Sequence, residues 1–260
     1  TKSGDYRLYV SIADVSYYVK PNSGLDKDAF TRGTSIYFPG TVIPMLPERL
    51  SNNLCSLVPN TDRLAFTAVL DFDKQGNRTS VKFFKSVIRS KKRFTYTLVQ
   101  SLLEKKDADL LEKNKKFVPL LKTSEELAKL LLKRRLKRGS LGFELPEPVV
   151  EVDKTEIVKS IHKSTRNFAH QLIEEFMLAA NEAVAATLSK ANINSIYRIH
   201  EKPSPEKVSE FATFAKAMGI ILPKGDHSPE WFNTILKNTK GSSLEYIVNN
   251  LLLRTMQQAK

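Results

Sequence analysis

The hydrophobic period of this chain changes once along its length, and that change limits the folds open to it. Tyr6 to Ala13 sets Leu8, Val10 and Ile12 against Arg7, Tyr9 and Ser11, the alternation of a half-buried strand. Arg63 to Asp73 and Ser80 to Ser90 are rich in Val, Phe and Thr and flank Lys74-Gln75-Gly76-Asn77, which predicts an antiparallel hairpin. Beyond Ser90 the apolar residues recur at helical spacing: Leu98, Val99, Leu102 and Leu103 in one run, then Phe117, Leu120, Leu121, Ala128, Leu131 and Leu132, with Pro119 in the first turn and Gly139 as terminator. From Asn167 to Ser189, Phe168, Leu172, Phe176, Ala180, Val184 and Leu188 recur every four residues, giving the longest regular helix. Strands first and helices afterwards, without alternation, predict an α+β fold: a mostly antiparallel sheet core in the N-terminal half, packed by helices of the C-terminal half.

Local signals refine this outline. Leu25 to Phe30 reads as a short helix capped by Asp26 and ended by Gly33. Residues 34–62 lack periodicity, and their prolines at 39, 44, 47 and 59 predict an irregular but ordered segment, a place where function often resides. Glu147 to Val152 is a short extended piece. Ser204-Pro205 and Ser228-Pro229 each place a capping hydroxyl before proline, while Ser242 with Glu245 predicts a capping box for a last helix still running near Lys260.

A length of 260 residues allows one large domain or two small ones, each with a substantial core. The balance of 41 Lys and Arg against 28 Asp and Glu, a net charge of +13, favours polyanionic partners and nucleic acid first, because neutralising phosphates releases counterions. A solvated basic surface or a contact with anionic membrane is the competing account. No run approaches the roughly 20 apolar residues of a membrane span. The single cysteine, Cys55, fits a reducing compartment, and a cytoplasmic, monomeric protein is expected.

The chemistry-bearing residues are sparse. Histidines at 162, 170, 200 and 227 show no ligand-like spacing, and one cysteine cannot build a zinc site. Neither a Gly-rich phosphate loop nor a Gly-x-Ser-x-Gly elbow is present. Two-metal phosphodiester hydrolysis needs clustered carboxylates. Asp26 with Asp28 and Asp71 with Asp73 are more simply helix-start and hairpin residues, and Asp14, at a strand end, suits a structural hydrogen bond better than a metal. Tyr37, Phe38 and Phe143 stand outside any periodic pattern and are candidates for stacking on bases, with core packing as the alternative.

Several ordered motifs carry a resemblance. Val10 to Val19, Arg32-Gly33-Thr34-Ser35-Ile36-Tyr37-Phe38-Pro39, Val42 to Pro47, Leu50 to Leu57, Arg93-Phe94-Thr95-Tyr96, Arg138-Gly139-Ser140-Leu141 with Leu145-Pro146-Glu147, Leu172 to Met177 and Tyr197 to Glu201 resemble the catalytic RNB domain of the ribonuclease II and ribonuclease R family, closer to its ribonuclease R branch. They spread over some 200 residues, with about Gly219 to Lys260 only loosely similar. The resemblance implies an RNB-type fold, with residues 1–260 as the interior of one such domain. It also implies processive hydrolysis of single-stranded RNA from the 3′ end to nucleoside 5′-monophosphates with Mg²⁺. By the same resemblance, Tyr37 packs on the terminal nucleotide, Phe143 is the partner aromatic, and Glu175 contacts the terminal nucleotides in the cavity. Gly142 departs from the larger or polar residue usual beside that aromatic. The family's aspartate cluster is expected before Thr1 and its catalytic arginine after Lys260, so no catalytic or metal residue is assigned and the 260 residues alone are expected to be inactive. The alternatives are a degenerate member that binds RNA or protein without cleaving, and a basic protein-interaction module.

Overall fold

The computed structural model describes every residue except 2, 3, 144–146, 154, 156 and 226, so the Leu145-Pro146 pair lies outside the described residues. In chain order the strands are β1 (Tyr6–Ala13), β2 (Ile36–Phe38), β3 (Thr41–Ile43), β4 (Asp62–Phe72), β5 (Arg78–Arg89), β6 (Pro148–Val152) and β7 (Val158–Lys163). The helices are α1 (Val15–Tyr18), α2 (Gly24–Arg32), α3 (Tyr96–Glu104), α4 (Ala108–Lys113), α5 (Val118–Lys137), α6 (Phe168–Lys190), α7 (Pro205–Ala217), α8 (Pro229–Thr239) and α9 (Glu245–Thr255). The chain forms two compact units: Thr1–Leu131 with Pro148–Val184, and Leu132–Glu147 with Ala185–Lys260.

The first unit contains the antiparallel sheet β1-β4-β5. Its register opposes Tyr6 to Phe72, Leu8 to Leu70 and Val10 to Ala68, so the alternating apolar residues of β1 share one face with those of β4. On that face Leu8, Leu70 and Phe72 cluster with Leu127 of α5 and with Ala180 and Ala183 of α6, where small side chains let the helix approach closely. Fully burying Leu70 contributes about 1.5–3 kcal/mol. The opposite face carries a ladder of hydroxyls, Ser11 to Thr67 at 2.9 Å and Thr67 to Ser86 at 2.6 Å.

The second unit is helical. Val208, Phe211, Trp231, Phe232, Ile235, Val248 and Leu252 form its buried core from α7, α8 and α9. The indole N–H of Trp231 donates to the Pro223 carbonyl at 2.9 Å, so the large ring is buried without losing a hydrogen bond. Ser204 and Ser228 cap α7 and α8 as their Ser-Pro signatures predict.

Three sequence expectations are corrected, and a fourth, the extended piece after Glu147, is borne out and gains a partner strand. Ser23, not Asp26, caps α2, accepting from the Asp26 N–H at 3.2 Å while the Asp26 carboxylate accepts from the Asn22 N–H at 2.8 Å; Gly33 does end the helix, at φ 70°. Residues 34–62 are not irregular throughout, because β2 and β3 form a hairpin and Arg49–Leu54 a π-helical turn. The extended piece at Pro148–Val152 has a partner, β7. The last helix ends at Thr255; its Ser242 hydroxyl accepts from Leu244 rather than Glu245, and Lys260 pairs with Ile199 through reciprocal backbone hydrogen bonds of 2.9 Å. Among the described residues no helix is long and apolar enough to cross a membrane.

Candidate nucleic-acid interface

In the first unit, Tyr37 stands on the hairpin β2–β3, opposite Val42. Gly40 makes the reversal possible with φ 82°, and a Cβ there would lie 2.8 Å from the Val152 side chain, so the hairpin tip rests against β6. At its base the Ser35 hydroxyl accepts from the Met45 N–H at 2.9 Å. The hairpin is therefore held at both ends, yet Tyr37 is 76% exposed and Ile36, Phe38, Val42 and Ile43 also face solvent. An isolated two-stranded ribbon is marginal in water, and one that displays aromatic and branched side chains suits a contact surface better than a core.

Glu175 lies on α6 in the same unit and is 2% exposed, among the described residues the one charged residue at a buried position of that helix. Phe143 belongs to the second unit. It is half-buried and packs against the core that contains Trp231 and Phe232, so core packing accounts for part of its surface.

The remaining sequence candidates have structural partners. Asp14, 7% exposed, accepts from the Ser16 hydroxyl at 2.7 Å and pairs with Lys85 at 3.1 Å. The Ser16 hydrogen bond and then Lys85 hold its carboxyl below the usual range. Burial, and next the charge of Asp14, push the Cys55 thiol up, which opposes a thiolate nucleophile. Asp28 pairs with Arg32, Asp71 with Arg7, and Asp73 accepts from the backbone of Gln75 and Asn77 in the turn between β4 and β5. His170 stacks on Tyr96 with centroids 3.9 Å apart and bonds Asn167. Among the described residues no group of three or more His, Cys, Asp or Glu could hold a metal ion, so these side chains by themselves do not fit Mg²⁺.

Cation–aromatic contacts recur in the first unit. Lys92 lies over Phe94 at 5.2 Å and over Phe117 at 5.7 Å, and its ammonium also donates to Asn114. The Arg93-Phe94-Thr95-Tyr96 motif is explained locally: Phe94 meets Phe117 edge-on, and Thr95 caps α3 by accepting from Leu98. Sequence reasoning passed over two residues in the second unit. The guanidinium of Arg135 donates to the Ser140 hydroxyl at 2.8 Å, and the Asn233 amide donates to the Ser140 carbonyl at 3.3 Å, just ahead of Phe143. In the sequence Arg135 is one of five cations between Lys133 and Arg138 with nothing to single it out, and Asn233, 93 residues from its acceptor, gave no signal.

Comparison with known proteins places this architecture. The family described as the RNB domain matches residues 1–260, and the chain belongs to that family. It is 41% identical over 261 residues to Ribonuclease R of Aquifex aeolicus, covering 100% of this chain and 37% of that protein. It is also 41% identical over 262 residues to Ribonuclease R of Escherichia coli, covering 99% and 32%. Among solved structures, Mycoplasma genitalium RNase R in complex with ribose-methylated single-stranded RNA superimposes with a TM-score of 0.89 at 33% identity, covering 97% of this chain and 40% of that one. The chain thus spans about a third of the length of these curated relatives. The mixed helix and strand content, with antiparallel sheets, is the α+β RNB fold expected from the sequence.

Proposed function

We propose that this chain is an interior part of the catalytic domain of a 3′-to-5′ exoribonuclease and supplies contacts to the 3′ end of single-stranded RNA. The observation that carries this reading is Tyr37, 76% exposed on a hairpin fixed at its base and tip. A hairpin fixed this way presents the ring to solvent at a defined place on the backbone, and a base stacked on such a ring is worth about 1–3 kcal/mol. The net charge of +13 supports attraction to the phosphate backbone. Phe143, half-buried against the core of its unit, is assigned to the last bases. Glu175 is assigned to the terminal nucleotides. In the whole protein the reaction is phosphodiester hydrolysis to nucleoside 5′-monophosphates, assisted by Mg²⁺ held by carboxylates other than those described here.

The test uses 5′-labelled single-stranded RNA with Mg²⁺ and follows decay and binding together. Binding without decay, weakened by Tyr37→Ala, is the expected outcome. A ladder shortening from the 3′ end would show that carboxylates of this chain, Asp14 first, act on the phosphodiester. Equal affinity of the wild type and Tyr37→Ala would remove Tyr37 from the contact surface.

A further inference from the structure

We infer that the start of α8 is a positioning platform for Phe143, with Asn233 and Ser140 as the residues that set the ring; this rests on the proposed role of Phe143 against RNA. The loop carrying Phe143 leaves α5 by a left-handed turn at Gly139, φ 92°. There the Ser140 N–H donates to the Arg135 carbonyl at 3.3 Å and the Gly139 N–H to the Leu136 carbonyl at 3.0 Å. A Cβ on Gly139 would lie 2.6 Å from the Cβ of Pro229, so the backbone of the loop sits directly against the first residue of α8. One turn further along, Asn233 donates to the Ser140 carbonyl, and from the other side Arg135 donates to the Ser140 hydroxyl. Leu141 and Phe143 then pack against the cluster that includes Trp231 and Phe232 of the same helix.

Ser140 is consequently held through two different atoms by two different elements, three residues before the aromatic ring. A loop released from these contacts would still contain Phe143 but would let the ring choose among several orientations, and ordering it on binding would cost affinity. Ser140 and Asn233 need not touch RNA for this. They act through Phe143.

The experiment is a double-mutant cycle on this chain, read as affinity for single-stranded RNA over a range of salt. Phe143→Ala is expected to weaken binding about 5- to 150-fold, the range for loss of one base stack, with the salt dependence unchanged because no phosphate contact is lost. Asn233→Ala is expected to weaken it roughly fivefold in the wild type, as one lost hydrogen bond does, and to have no effect in the Phe143→Ala background. The same fold loss in both backgrounds would make Asn233 merely structural and overturn the inference. No loss from Phe143→Ala would instead overturn the assignment of Phe143 itself. Ser140→Ala, which removes only the Arg135 arm, runs through the same cycle, so the coupling is still measured if Asn233→Ala does not fold.

Discussion

In the sheet-bearing unit the buried cluster is Leu8, Leu70, Phe72 and Leu127 with two alanines, and Tyr9, Tyr17, Tyr37 and Phe38 are left facing solvent. The helical unit does the reverse with its largest rings: Phe211, Trp231 and Phe232 are each no more than 5% exposed, and the two phenylalanines pack edge-on against Trp231 at 6.2 and 5.1 Å. Carboxylate–guanidinium pairs follow the same division. Arg7 with Asp71 and Arg89 with Asp62 join neighbouring strands, whereas the buried polar residues of α8 and α9, Thr239, Asn249 and Thr255, are all uncharged. The difference teaches that the helical unit builds its core from its largest rings, whereas the sheet-bearing unit leaves several of its tyrosines at the surface, although aromatic residues are similarly abundant in both.

The largest expected effect lies in the helical core. Trp231→Ala should cost about 3–5 kcal/mol, with hydrogen exchange speeding through α7, α8 and α9 while β4 and β5 keep their protection. Equal loss of protection in the sheet would break the division into two units. Leu70→Ala is the mirror experiment, at about 2–5 kcal/mol, with the sheet amides as the sensitive set. Tyr37→Ala comes next: it should leave the unfolding midpoint in place because the ring is exposed, yet reduce RNA affinity by about 1–3 kcal/mol in a binding titration.

A smaller effect is expected at the hairpin tip. Gly40→Ala should destabilise by about 1–2 kcal/mol for the left-handed backbone, with a further steric loss against Val152. Adding Val152→Ala should recover only the steric part, measured as a partial return of the thermal midpoint. The smallest effect concerns acid. Ser16 and Lys85 lower the Asp14 carboxyl, Arg89 lowers Asp62, and Arg7 with Ser80 lowers Asp71. Each pair contributes stability present above the unfolded value, about pH 4, and lost as pH falls through the lower folded values. Asp62→Asn should therefore lower the sheet's stability slightly at neutral pH, toward its acid value, and so make the acid limb of the unfolding curve shallower. An unchanged acid limb would show that the cross-strand pairs do not distinguish the units.

Much of the fold was legible in the sequence where a pattern ran long enough to repeat. β1, β4 and β5 each carry at least three alternations, and α6 keeps its apolar stripe through more than five turns. The hairpin β2–β3 escaped because two strands of three residues, set among prolines and a glycine, contain too few periods to declare themselves. β7 escaped because Val158, Ile161 and their polar neighbours do not alternate cleanly. The α2 cap was misplaced because Ser23 and Asp26 both have capping side chains, and only the folded backbone decides which accepts from which. Of the site, Tyr37 was visible as an aromatic outside any pattern. Asn233 was not, since contacts across 93 residues leave no local trace.

Trp231 is the sole tryptophan of the chain, and it is locked in the helical unit beside Phe211, Phe232 and His227. Its emission is thus a built-in optical probe that answers for that unit alone, while tyrosine-selective signals weigh toward Tyr6, Tyr9, Tyr17, Tyr18, Tyr37 and Tyr96 in the other. A single unlabelled sample can report which half responds when RNA, acid or heat is applied.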